Sequence, residues 1–139
     1  MEISSLVEKQ RAFFQKGITK TPQFRQKALE RLEKGIRRYE KEIHQALRKD
    51  LGKSEFEAYM TEVGLTLSEL TYVKKHLSAW MRSNGVPTPL AQFPAKSFEM
   101  TEPYGVVLIM SPWNYPFMLC MEPLIGAIAG GNCSVVKPS

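Results

Sequence analysis

Apolar positions along the 139-residue chain fall into two regimes. Up to about residue 81 they recur every three or four residues, as on one face of a helix, and beyond residue 96 they come in short unbroken runs. The segment SLVE at residues 5–8 has the form of a capping box ahead of Leu6, Phe13 and Phe14, and Gly17 supplies a stop, which predicts a short first helix. Thr21 followed by Pro22 is a cap with a proline at the first helical position. Phe24, Ala28, Leu32, Ile36, Tyr39, Ile43 and Leu47 then hold the period, predicting one long amphipathic helix that ends near Gly52. A second capping box at residues 54–57 opens a third helical stretch, in which Met60, Val63, Leu67, Leu70, Leu77 and Trp80 keep the spacing as far as Met81.

The second regime starts after a break. In SNGVPTPLAQFPA, residues 83–95, Gly85, Pro87, Pro89 and Pro94 bar both a helix and a central strand, so this is a connecting loop and the best internal boundary. It separates a helical region, 1–95, from residues 96–139. Phe98 and Met100 alternate with Glu99 and Thr101, the pattern of a half-buried strand. Val106 to Met110 is unbroken apolar and rich in branched residues, as expected of a strand covered on both faces. Pro116 can begin a helix, residues 117–129 are apolar nearly all round, and Gly130, Gly131 and Asn132 stop it. CSVVK then reads as another buried strand. Strand, buried helix, buried strand is a βαβ crossover, the unit of open, mostly parallel α/β sheets.

Length and composition narrow the picture. The chain is long enough for one hydrophobic core and shows neither low-complexity tracts nor a fixed-period repeat. Its net charge of +5 is uneven: residues 1–49 carry 13 Lys and Arg against 6 acidic residues, and residues 50–139 carry 6 against 8. The cations of the first half alternate with apolar residues at helical spacing and with Glu30, Glu33, Glu40 and Glu42, which is the pattern of a solvated helix face. Nucleic acid is therefore not an expected partner. No secretory signal is visible at the start, and the most apolar window, residues 115–131, is short for a bilayer span and contains Glu122 and two prolines. A cytoplasmic protein is expected. Cys120 and Cys133 read as small buried hydrophobes.

Two odd segments fall at the carboxyl ends of the predicted buried strands, where ligands sit on such sheets. The first is SPWNY, residues 111–115; the second is KPS, residues 137–139. Asn114 there would present a neutral, always-available donor able to hold a developing oxyanion, an effect worth roughly 3 kcal/mol in a dry site. Tyr115 could wall a substrate pocket and Trp113 could pack on a ligand. Asn114 capping the following helix through its side chain accounts for much of the same pattern.

Taken together, PYGVVLIMSPWNYPF and EPLIGAIAGGNCSVVKPS resemble the amino-terminal part of the aldehyde dehydrogenase superfamily. There, a P-W-N-[FY]-P segment, an A-I-A-x-G-N helix end and a K-P-S step occur in this order. The resemblance covers essentially the whole chain and is closest to the short class 3 and fatty aldehyde dehydrogenase type. It implies an incomplete aldehyde dehydrogenase fold: an amino-terminal helical layer plus the first βαβ of a Rossmann-like cofactor-binding sheet. By the same resemblance Asn114 is the catalytic side-chain donor of the oxyanion hole, and Tyr115 walls the aldehyde tunnel. Met110, Ser111, Pro112 and Trp113 line the nicotinamide cofactor site. Lys137 bonds the adenosine ribose of NAD, or the 2′-phosphate of NADP, with Pro138 and Ser139 shaping that edge. No metal is implied, and no G-x-G-x-x-G fingerprint is present.

The resemblance also implies a cysteine nucleophile and a glutamate base downstream of the K-P-S step, beyond Ser139. Cys120 and Cys133 lack the basic partners that would favour a thiolate. Glu122 reads as a structural carboxylate, and His44 and His76 as solvent-facing or capping residues. The expected object is thus an amino-terminal fragment, inactive alone, of an enzyme that oxidises aldehydes through a thiohemiacetal on that cysteine. The alternative is a non-catalytic interaction module that kept the scaffold. A dimer is implied for the complete enzyme, and uncovered strands predict that the fragment self-associates.

Overall fold

A computed structural model describes residues 2–139. Three helical segments come first: α1 (Ile3–Gln15), α2 (Pro22–Arg38) and α3 (Glu40–Leu51). Thr21 caps α2 as its chemistry predicts, its hydroxyl accepting from the Phe24 N–H at 3.3 Å. The box at residues 5–8 is not used. α1 begins two residues before Ser5, and its N-cap residue Glu2 makes no side-chain bond to the helix.

The single long helix expected from Thr21 to Gly52 is two helices. At Tyr39 the backbone leaves the helical region (φ −104°, ψ 18°), and beyond it the partner changes: α2 packs on later helices, whereas α3 packs on α4 (Glu55–Ala58). The break turns Tyr39 outward, 51% exposed, although the apolar period runs through it. Gly52 ends α3 in the left-handed conformation (φ 68°), and the Ser54 hydroxyl caps α4 by accepting from the Glu57 N–H at 3.1 Å.

After α4 the chain makes one π-helical turn, Tyr59–Val63, before continuing as α5 (Gly64–Trp80). The Gly64 N–H reaches back to the Tyr59 carbonyl, and a Cβ on Gly64 would lie 2.8 Å from that oxygen, so the turn needs a residue without a side chain there. The extra residue in the turn rotates the helix face. Met60 and Trp80, predicted inward, are exposed, while Ala58, Glu62, Val63 and Thr66 are buried.

The core joins Leu29 and Ile36 of α2, Val63, and Leu67, Leu70, Val73 and Leu77 of α5 to Ile125 of α6 (Met118–Ala129). Each such fully buried side chain contributes about 2 kcal/mol. Arg25 is buried beside this core. It donates to the carbonyls of Thr19 (2.9 Å), Lys20 (3.3 Å) and Ala129 (3.0 Å), so one guanidinium ties the start of α2 to the carboxyl end of α6. Burial lowers its pKa. Gly131 passes over the group with φ +82°, and a Cβ there would meet the guanidinium at 2.5 Å.

Two small sheets complete the chain. β1 (Asn84–Val86) and β2 (Ser97–Glu99) form an antiparallel ribbon that crosses the predicted boundary at residue 95. The loop 83–95 is thus part strand, which an edge ribbon allows because its prolines fall outside the paired residues. Phe98 and Met100 are both mostly exposed, not half-buried, because the ribbon has no third layer beneath it.

β3 (Val106–Met110) and β4 (Cys133–Lys137) pair in parallel, with α6 as the crossover, so the predicted βαβ is present. α1 and α6 both pack on the pair. Ile109 is buried, but Leu108 and Met110, on the other side of the pleat, are 61% and 72% exposed. The expected cover on both faces of β3 is therefore missing on one. Asn132 links the strand starts: its side-chain oxygen accepts from the Gly105 N–H at 2.9 Å, and the Cys133 N–H donates to the Gly105 carbonyl at 2.8 Å. Among the described residues no helix is long and apolar enough to cross a membrane.

Candidate active site

The carboxyl ends of β3 and β4 lie side by side, with Met110 opposite Lys137 in the register. The Ser111 N–H donates to the Lys137 carbonyl at 3.0 Å, extending the ladder by one bond. The loop that follows, residues 111–117, is held at both ends. Ser111 is buried, and its hydroxyl donates to the Pro116 carbonyl at 3.2 Å, closing the base of the loop. At the far end the first turn of α6 is already forming, with the Leu119 N–H on the Tyr115 carbonyl at 3.0 Å. Between these ties Pro112, Trp113, Asn114 and Tyr115 are exposed, as are Lys137, Pro138 and Ser139 across the strand ends.

Asn114 does not cap α6. The N-cap position is Phe117, which has no side-chain cap, and the first amides of the helix are satisfied from elsewhere. The Phe117 and Met118 N–H groups donate to Glu62 Oε2 at 2.8 and 3.2 Å. Glu62 is fully buried in the π turn, and its other oxygen accepts from Lys53 Nζ, itself buried. A carboxylate at a helix N-terminus is also favoured by the helix dipole. Lys53 Nζ lies 4.2 Å from the centre of the Tyr115 ring, within cation–π range.

These two groups were not legible as site residues. Glu62 and Lys53 sit 55 and 62 positions before Phe117 and Tyr115, and nothing in either's neighbourhood marks a functional role. Periodicity sets Glu62 on the outward side of the third helical stretch, so no local signal marks it.

The remaining candidate groups fall outside the loop. Cys120 and Cys133 are free and buried, and burial pushes the Cys133 thiol up, away from a thiolate. His76 is on the face of α5, its Nδ1 2.8 Å from the Tyr72 carbonyl. His44 is buried, contrary to its expected solvent-facing place, because the packing of α3 on α4 covers it. Its Nδ1 lies 3.8 Å from a Glu55 oxygen, and its Nε2 is buried without a partner. No group of three or more His, Cys, Asp or Glu among the described residues could hold a metal ion.

The strand ends thus bring a proline-bracketed Trp-Asn-Tyr loop after β3 and the lysine that ends β4 to one edge of a parallel α/β pair. The chain belongs to the aldehyde dehydrogenase family, whose pattern matches residues 1–139. It is 50% identical over 129 residues to the 4,4'-diaponeurosporen-aldehyde dehydrogenase of Staphylococcus aureus, covering 93% of this chain and 28% of that protein. It is 43% identical over 139 residues to the dimeric NADP-preferring aldehyde dehydrogenase of Canis lupus familiaris, covering 99% of this chain and 30% of that one. A solved structure of Staphylococcus aureus AldH in a substrate-bound state superposes with a TM-score of 0.96 at 47% identity, over 100% of this chain and 30% of the other. The chain thus spans under a third of the length of the relatives it matches.

Proposed function

We propose that these residues supply the oxyanion donor and one edge of the nucleotide site in an NAD(P)-dependent oxidation of an aldehyde to a carboxylic acid. The observation that carries this reading is Asn114: exposed at the carboxyl end of β3, with the cap of α6 provided by Glu62 instead. Its carboxamide is left available for a ligand. When a nucleophile adds to the aldehyde carbon, charge collects on the carbonyl oxygen, and an Asn114 N–H aimed at that oxygen stabilises it without changing protonation state. Tyr115, packed against Lys53, would wall the aldehyde side.

The residues at the strand ends fit a dinucleotide. Lys137 and Ser139 are exposed and bring one cation and one hydroxyl to the end of β4, the chemistry a ribose or a 2′-phosphate requires. Met110, Ser111, Pro112 and Trp113 would line the nicotinamide end, and Pro138 would shape the ribose edge. When bound, NAD or NADP accepts the electron pair that the aldehyde carbon gives up. The name of the canine relative, dimeric and NADP-preferring, supports a dinucleotide cofactor and a dimer for the whole protein. Two free buried thiols suit a reducing compartment such as the cytoplasm. Residues 1–95 serve as the helical layer and residues 96–139 as the first βαβ of the cofactor domain. By itself the chain turns over no aldehyde, since neither buried cysteine is placed as a nucleophile, and its uncovered strands drive self-association.

A hybrid tests this reading. Residues 1–139 replace the matching segment of Staphylococcus aureus AldH, and reduction of NAD or NADP is followed with an aldehyde substrate. The hybrid is expected to turn over and the 139-residue chain to show no activity. A folded but inactive hybrid, or an active chain alone, contradicts the proposal.

A further inference from the structure

Resting on that reading of Asn114, we propose that Glu62, set by the π turn and paired with Lys53, is the positioning residue of the oxyanion loop. A fully buried carboxylate is expensive to desolvate, and an ion pair in its place often stabilises no more than well-packed apolar side chains. A helix N-terminus needs no such group. A local Asn, Ser or Asp satisfies the first amides at far lower cost, and an asparagine stands three residues before the N-cap Phe117. A carboxylate brought in from 55 residues away leaves that asparagine free while fixing the backbone that carries it.

The geometry shows how the fixing works. Glu62 Oε2 takes both the Phe117 and Met118 N–H groups, so the loop cannot pivot about the start of α6 without losing two bonds to one rigid group. The other carboxylate oxygen accepts from Lys53, whose ammonium also contacts Thr61 Oγ1 at 3.5 Å and faces the Tyr115 ring. Lys53 itself is held between the left-handed Gly52 and the Ser54 cap. One connected network therefore reaches two points just after Asn114: Tyr115 directly, and the helix start two residues beyond it. The π turn belongs to the same device. It is held by the Gly64 N–H on the Tyr59 carbonyl, and it turns Glu62 onto the buried face beside Ala58 and Thr66. Irregular turns of this kind recur where a helix serves a site.

The test is a double-mutant cycle in the hybrid enzyme. Glu62→Gln keeps the shape but cannot accept from Lys53 and from both amides at once. It is expected to lower kcat by about 10- to 100-fold with little change in KM, as loss of an orienting partner does. Because Glu62 acts through the loop, adding Glu62→Gln to Asn114→Ala should cost no more than about 2-fold beyond Asn114→Ala alone. Multiplying losses, or an unchanged kcat in Glu62→Gln while Asn114→Ala is impaired, overturn the positioning role and leave the oxyanion reading intact. An unimpaired Asn114→Ala overturns that reading as well. If Glu62→Gln does not fold, Glu62→Leu with Lys53→Met removes both charges and the shared acceptor together and carries the same expectations. Amide hydrogen exchange adds a direct readout: Phe117 and Met118 should lose protection, and unchanged protection at both contradicts the clamp.

Discussion

At Glu33 two cations meet one carboxylate, and the charge arithmetic can be followed through to stability. Lys74 hydrogen-bonds one oxygen and Arg37 the other, the latter at 2.9 Å, and the side chain is only 17% exposed. The bond from Lys74, then that from Arg37, holds the Glu33 pKa below the ordinary value, against a smaller opposing effect of burial. A glutamate whose folded pKa is depressed adds stability that is complete above its unfolded pKa, about 4.3, and is lost as pH falls through the lower folded value. Glu33→Gln should therefore lower the melting temperature near neutral pH, with the gap to the parent closing as the solution is taken to about pH 3. Thermal melts across that range check it; a gap that does not depend on pH contradicts the assignment. Local cap chemistry was equally readable residue by residue. Thr21 and Ser54 cap because a hydroxyl before a helix has donors within its own reach.

Elements were legible where their signals are local and illegible where partners choose the geometry. Helical spacing located α1, α2 and α5, and branched apolar runs located β3 and β4. The break at Tyr39 carries no such signal: the period continues through it, and only the change of packing partner from the later helices to α4 demands it. The π turn escaped for a related reason. One added residue takes Met60 out of the buried register and brings Glu62 and Thr66 in beside Val63, and periodicity alone reads a glutamate there as outward-facing. The capping box at residues 5–8 failed because a helix start is decided by where the backbone first coils, here at Ile3. Exposure of Phe98, Leu108 and Met110 could not be read at all, since burial of a strand depends on layers that the strand does not encode.

For the whole molecule, βαβ logic points to the strand ends as the proposed site, and the roles proposed for its residues come from the family resemblance. The clamp beneath the loop was invisible, because Glu62 and Phe117 meet only when α6 lies across α5. β3 and β4 make a two-stranded sheet with open edges and an exposed apolar face at Leu108 and Met110, which favours pairing with a second copy. Sedimentation equilibrium of the 139-residue chain should show association that rises with concentration; a monomer across the whole concentration range contradicts it. On the proposed function, Asn114 is kept free of the helix cap so that its carboxamide can meet the aldehyde oxygen. Steady-state kinetics of Asn114→Ala in the hybrid enzyme tests that most directly. A kcat lower by about 10²- to 10³-fold is expected in a protein that melts at the parent temperature, and a kcat equal to the parent's contradicts the oxyanion role.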